Sequence, residues 1–286
     1  MLVSMKDMLQ HALRDGYAVG QFNINNLEWV GAVLSTAQQC RSPVILGVSS
    51  GTVKHMLGLK CIHDIVVNAM EYLHIDVPVA LHLDHGTSRE ACEAAIAAGF
   101  SSIMFDGSHL PFRENLAITR HLVTLAHSKG ISVEAELGTI AGSEDGIVNS
   151  EVIYADPQEC YTLVTETQVD CLAAALGSTH GLYKGKARLG FTEMKAIAEQ
   201  VKVPLVLHGG TGIADEDMRR AIACGTAKIN VNTENMYAWC QQVKAIFAAD
   251  TGHDVNDPRK VIAQGLQPVR EMIARRMALF GSQQRY

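Results

Sequence analysis

The chain has 286 residues, 48% hydrophobic and 19% charged, with 24 glycines and 7 prolines. That length suits two ordinary domains or one large α/β barrel, and the composition excludes a disordered chain, a coiled coil and a collagen-like repeat. Lys plus Arg number 24 against 30 Asp plus Glu, a net charge of −6 with no basic stripe, which argues against nucleic acid as a partner.

No apolar stretch reaches the roughly 18 residues that a membrane-spanning helix requires. Lys6 and Asp7 stand where a signal peptide would place its apolar run. The cysteines at 40, 61, 92, 160, 171, 224 and 240 are scattered and never spaced as C-x-x-C, so neither a disulfide framework nor a thiolate zinc site is expected. The expectation is a cytoplasmic protein with no membrane contact.

In chain order, short apolar runs rich in β-branched residues predict strands at Tyr17–Asn23, Pro43–Ser49, Val77–Asp84, Ser102–Asp106, Ile131–Glu136, Cys171–Gly177, Val203–Gly209 and Lys228–Thr233. The runs are nearly continuous instead of alternating, as parallel strands covered on both faces require. Between them lie helical segments. Ser88 opens and Gly99 closes one of these, and Ala117–Gly130 and Asp215–Gly225 repeat the grammar. Eight strands alternating with eight helices predict an α/β fold, a (β/α)₈ TIM barrel with additional terminal helices. No linker divides the chain, so one domain over residues 1–286 is expected. A doubly wound open sheet is the rival, but no G-x-G-x-x-G follows the first strand.

Function in such a barrel sits at the carboxyl ends of the strands. The predicted strand ends carry Asn23 and Asn25, Ser49, Asp84-His85, Asp106 with Ser108, Glu134 and Glu136, His180, His208, and Asn230 to Glu234. Any one of these could simply bond local backbone; eight polar strand ends together would be a coincidence. His82, His85, His180 and His208 follow three separate strands, and three imidazoles converging with an open fourth position describe a catalytic zinc site. On a regular strand His82 and His85 face opposite ways, so only one of them is a ligand. His85, nearer the carboxyl end, is the choice, with His82 as a supporting group.

Two further patterns stand out. His208-Gly209-Gly210-Thr211-Gly212 and Asn230-Val231-Asn232-Thr233-Glu234 follow the last two strands, the usual barrel phosphate site, where helix-start N–H groups hold an anion. Gly138 to Gly146 reads as a loop, a flap whose acids Glu144 and Asp145 could carry a base over a substrate.

With these residues in view, the chain resembles the class II, metal-dependent ketose-bisphosphate aldolases, from Tyr17 to Ser282. The motifs are His82-Leu83-Asp84-His85-Gly86, Phe105-Asp106-Gly107-Ser108-His109, Val133-Glu134-Ala135-Glu136-Leu137-Gly138, Gly177-Ser178-Thr179-His180-Gly181, His208 to Gly212, and Lys228-Ile229-Asn230-Val231-Asn232-Thr233. The resemblance implies one catalytic Zn²⁺ on His85, His180 and His208, a second metal position at Asp106 and Glu136, and room for a monovalent cation. It makes Asp84 the proton donor and acceptor at the C4 hydroxyl and Glu144 the group that moves the C3 proton. Dihydroxyacetone phosphate would meet Gly181, Gly209, Gly210, Thr211, Asn230, Val231, Asn232 and Thr233, with Ser49 and Arg259 at the other phosphate. The implied substrate is fructose or tagatose 1,6-bisphosphate, and Gly20–Asn23 and Leu46–Ser49 lean towards the fructose branch. A homo-oligomer, dimer or tetramer, is also implied. A non-catalytic, stabilising relative is the alternative; such a chain would be expected to have lost ligands. The family often has Asp-Ala-Ser at 106–108 and Gly-Gly at 141–142, where this chain has Gly107 and Ala141. The second change is expected to alter flap closing and turnover more than the reaction.

Overall fold

The computed structural model describes all residues except 145–146, 150–151, 182–185 and 251–254, and at 143, 144 and 147–149 the backbone alone. Helix α1 (Met5–Asp15) precedes β1 (Val19–Asn23), α2 (Leu27–Cys40), β2 (Val44–Val48), α3 (Ser50–His55), α4 (Leu59–Tyr72) and β3 (Val79–Gly86). Then come α5 (Arg89–Ala98), β4 (Ser102–Phe105), α6 (Phe112–His127), β5 (Ser132–Leu137), β6 (Ala141–Glu144), β7 (Ile147–Asn149), α7 (Pro157–Thr167) and β8 (Cys171–Ala174). The chain finishes with β9 (Thr179–His180), α8 (Phe191–Val201), β10 (Leu205–Leu207), α9 (Asp215–Ala223), β11 (Thr226–Val231), α10 (Thr233–Ala249) and α11 (Pro258–Phe280).

Strands β1, β2, β3, β4, β5, β8, β10 and β11 close a parallel barrel, one strand for each predicted apolar run. Closure removes the open-sheet rival. Both strand faces are apolar because each strand has two neighbours to satisfy: the helices outside and the packed barrel interior inside. Phe22, Leu46, Leu81, Ile103, Val133 and Ile229 point outward into the main core under the helices. Val19, Ile45, Ala80, Met104 and Val206 point inward and meet Met5, Met8, Leu9 and Ala12 of α1, which plugs the amino-terminal mouth. Burying each side chain of Leu or Met size contributes about 1.5–3 kcal/mol, so this plug is a substantial part of the barrel's stability.

Local signals act as read. Ser88 Oγ accepts the Ala91 N–H at 3.2 Å, and Gly99 ends α5 at φ +94. One segment departs from the reading. The glycine-flanked stretch expected to be a loop holds a strand, β6, which pairs antiparallel with β7 and in parallel with β9 through Ala141–Thr179 and Gly142–His180. This small sheet stands over the carboxyl ends of the barrel strands and joins the flap to the strand that carries His180.

Candidate active site

The end of β3 sets the site. His82 and Asp84 point into the barrel, where both are buried. The register with β4 then shifts between Leu83 and Gly86, and His85 takes a left-handed backbone with φ +51. Such a conformation is strained for a residue with a side chain and persists where the surroundings over-determine it. It also defeats the odd-spacing rule, which assumed a regular strand. His82 serves the interior, and the bulge swings His85 to the rim beside His180 and His208.

The donor atoms of His85, His180 and His208 lie within 4.8 Å of one another. His85 Nδ1 is 2.9 Å from Asp106 Oδ2, and His208 Nε2 is 2.9 Å from Glu134 Oε1. Ionised carboxylates only accept, so each neutral ring places its hydrogen on that nitrogen. The remaining nitrogens, His85 Nε2 and His208 Nδ1, then face each other at 2.9 Å as two lone pairs. Facing lone pairs repel unless an electrophile draws on both. The donor chemistry therefore fits a divalent cation of the imidazole-binding kind. Asp106 also accepts from Ser108 N at 3.1 Å and Oγ at 2.6 Å, which orients it towards His85. Its carboxyl is held well below the ordinary range: burial pushes it up, but the His85 and Ser108 bonds outweigh that. His85, Asp106 and Glu136 form a second group able to hold an ion, with Glu136 Oε2 3.8 Å from His85 Nδ1.

Asp84 is 1% exposed and receives two amide donors. Asn23 Nδ2 bonds Oδ2 at 2.9 Å and Asn230 Nδ2 bonds Oδ1 at 3.2 Å. Burial alone would raise this carboxyl, but positive charge around it, from the His85 and His208 rings when protonated and from the Lys228 ammonium, holds it well below the usual carboxylate range. The result is an ionised acceptor fixed beside the cluster.

Beneath the cluster runs a buried polar layer in which the sequence reading gave a role only to His82, as a supporting group. Lys228 Nζ is 2.7 Å from Glu134 Oε2, and His82 Nδ1 is 2.8 Å from Ser102 Oγ. Burial, reinforced by the Lys228 ammonium, pushes His82 down to about 3, so its ring is neutral.

A cavity of about 500 Å³ opens over this layer, within the usual range for a small-molecule site. Ser49, His180, Gly181, Gly209, Gly210, Thr211, Asn230, Asn232 and Thr233 line it, as does Asn23. The two glycine-rich loops are tied together, since Gly210 N donates to Asn230 O at 3.0 Å and Glu234 N donates to Thr211 Oγ1 at 3.2 Å. Gly209 is required by its φ of +65 and by the Thr179 carbonyl, which a Cβ would meet at 2.2 Å. At Gly181 the demand is conformational, with φ +88 and nothing among the described residues within 4 Å of a Cβ. Trp29, Thr52, His55, Met236, Trp239 and Cys240 complete the walls from helices, positions that no strand-end rule could find.

Two of the expected contact residues do not present side chains to this cavity. The Val231 side chain is buried in the outer core, so only its backbone can serve the cavity. Arg259 is not among the lining residues; its side chain is 88% exposed and bonds Asp257 at 3.0–3.1 Å. The Asp257-Pro258-Arg259 context is a helix start, in which Asp257 caps α11 and Arg259 folds back on the cap. The Glu144 backbone ends β6, and its side chain lies outside the described residues.

Fold and cluster together define a (β/α)₈-barrel enzyme with its site at the carboxyl ends of the strands. Residues 3–285 match the family described as "Fructose-bisphosphate aldolase class-II". The fructose-bisphosphate aldolase of Geobacillus stearothermophilus is 55% identical over 281 residues, 98% of this chain and 97% of that protein. The fructose-bisphosphate aldolase of Staphylococcus aureus is 51% identical over 284 residues, 99% of each chain. Among solved structures, the YdjI aldolase of Escherichia coli K12 aligns with a TM-score of 0.87 at 33% identity, covering 99% of both chains. The chain belongs to the class II fructose-bisphosphate aldolase family.

Proposed function

We propose that this protein reversibly cleaves fructose 1,6-bisphosphate to dihydroxyacetone phosphate and glyceraldehyde 3-phosphate, with Zn²⁺ held by His85, His180 and His208. The observation that carries the reading is the convergence of the three imidazoles, with His85 Nε2 and His208 Nδ1 2.9 Å apart, beside a cavity floored by two glycine-rich loops. When bound, zinc supplies Lewis-acid stabilisation of the negative charge that builds on the ketone side as C3–C4 breaks. Asp84, ionised and held by Asn23 and Asn230, takes the C4 hydroxyl proton in cleavage and returns it in synthesis. Glu144 moves the C3 proton from the flap strand β6.

Backbone N–H groups of Gly181, Gly209, Gly210, Thr211 and Asn230 to Thr233 hold the phosphate of dihydroxyacetone phosphate. Ser49, at the rim of the same cavity, serves the distal phosphate. Fructose is preferred over tagatose because the relatives at 51–55% identity carry that name. A cytoplasmic site of action belongs to the proposal, supported by seven free cysteines. So does a homo-oligomer, for which the exposed Leu27, Leu57 and Tyr72 offer apolar surface.

The test is aldol cleavage of both bisphosphates followed by a coupled triose-phosphate assay. A higher kcat/KM for the fructose substrate supports the reading, a higher one for tagatose reassigns the sugar, and no cleavage of either removes the proposal.

A further inference from the structure

The proposed chemistry leaves one fully buried charge pair without a task. Lys228 on β11 and Glu134 on β5 meet at 2.7 Å with neither side chain exposed. Withdrawing two ions from water costs several kcal/mol each, and apolar residues of similar volume are often as stable or better. Fold stability alone does not explain the pair.

The other carboxylate oxygen does. Glu134 Oε1 is 2.9 Å from His208 Nε2, which must carry its hydrogen there to be a donor. A neutral ring so protonated has its lone pair on Nδ1. Nδ1 is the atom facing His85 Nε2 at 2.9 Å, and the Asn230 amide, a donor, approaches the same atom at 3.3 Å. The opposite tautomer would set a lone pair against the carboxylate and turn an N–H into the histidine cluster. Lys228 can only donate, so it keeps Glu134 an acceptor and pins its second oxygen. A lysine locked in this way is a counter-ion, not a carbonyl nucleophile.

We propose that Glu134, anchored by Lys228, is a positioning residue that fixes His208 in the metal-binding tautomer, so that the buried pair sets the affinity of the site for zinc. This rests on the reading of the three histidines as a metal site. Its sharpest consequence concerns Glu134→Gln. The amide oxygen must turn to Lys228, which leaves the NH₂ facing His208 Nε2. That nitrogen then accepts, and the hydrogen moves to Nδ1, where metal would bind.

The experiment uses the full-length protein stripped of metal by a chelator. Zinc affinity is measured by competition with a chromophoric chelator, and the His208 ring tautomer by ¹⁵N shifts, assigned through the loss of signal in His208→Ala. Wild type should bind one zinc and show hydrogen on Nε2. Glu134→Gln should show hydrogen on Nδ1 with zinc Kd raised about 100-fold, the upper end of effects from groups that orient a metal ligand. The paired variant Glu134→Leu/Lys228→Met removes both charges at once and so avoids a lone buried ion; it should give mixed tautomers and about a 10-fold loss. Wild-type zinc affinity or an unchanged His208 tautomer in a folded variant would overturn the inference. Absence of zinc binding in wild type would instead overturn the metal-site reading beneath it.

Discussion

The α-carbon of Gly142 on β6 packs against the backbone of His180 on β9 so closely that a Cβ would fall 2.2 Å from the His180 carbonyl oxygen. Gly142 has φ +107, a conformation open to glycine at little cost. The flap strand and a cluster histidine are therefore one mechanical unit. Gly142→Ala should push β6 off β9 and displace both. Misplacement by about 1 Å can cost about 100-fold, so kcat should fall by about 10- to 100-fold with global stability little changed. Steady-state kinetics beside thermal unfolding checks this, and an unaltered kcat would show that the flap and His180 are independent.

Asp84 has two amide donors and no ligand role in the proposed chemistry. Asp84→Asn should keep bound zinc, measured by elemental analysis, yet lose about 10²- to 10⁴-fold in kcat, the scale of general acid–base catalysis. Asn23→Ala removes one donor from the carboxylate and should give a smaller loss, with zinc content unchanged. Loss of zinc from Asp84→Asn would place Asp84 in the metal site instead.

His82 makes stability depend on pH. Its folded value is depressed to about 3 from an ordinary 6.5, so the unfolded chain takes up a proton in that window and the folded chain does not. Stability from this group is complete above pH 6.5 and falls as pH drops towards 3, by about 1.4 kcal/mol per pH unit within the window. The buried carboxylates, also depressed, add their own loss only below about pH 5. Urea unfolding at pH 7 and 5.5 should show a shallower decline in His82→Asn than in wild type. Equal slopes would mean that His82 is protonated in the folded barrel.

The plug at the amino-terminal mouth is far from the chemistry. Leu9→Ala should cost about 2–5 kcal/mol, the range for removing a buried leucine side chain. KM and kcat at 25 °C should stay near wild type because the site stands on the opposite face. A rise in KM would show that α1 communicates with the strand ends.

Most of this was legible in the sequence for one reason: parallel barrel strands are apolar on both faces, so the polar residues that interrupt them mark the functional rim. His85, His180 and His208 stood out on that ground, and the structure brings their donor atoms together. The Glu134–Lys228 pair did not, because two charges 94 positions apart show no relationship until the barrel closes. The same holds for Asn23, noticed as a polar strand end, whose partner Asp84 lies 61 positions away. His85 broke the alternation rule through a bulge that nothing in His82 to Gly86 announces. Gly138 to Gly146 read as a loop because its strand partner, Thr179-His180, is too short to register as a strand. Arg259 was placed at the distal phosphate by the resemblance, and in the structure its side chain bonds Asp257.

The central claim is that carbon–carbon cleavage here depends on a metal held by three imidazoles. Its most direct test is fructose 1,6-bisphosphate cleavage by chelator-treated protein, before and after Zn²⁺ is restored, in wild type and in His85→Ala, His180→Ala and His208→Ala. The expected result is activity lost on chelation, recovered with Zn²⁺ in wild type, and recovered in none of the three variants. Undiminished cleavage by zinc-free protein, with an adduct trapped by borohydride, would contradict the account and point to a lysine.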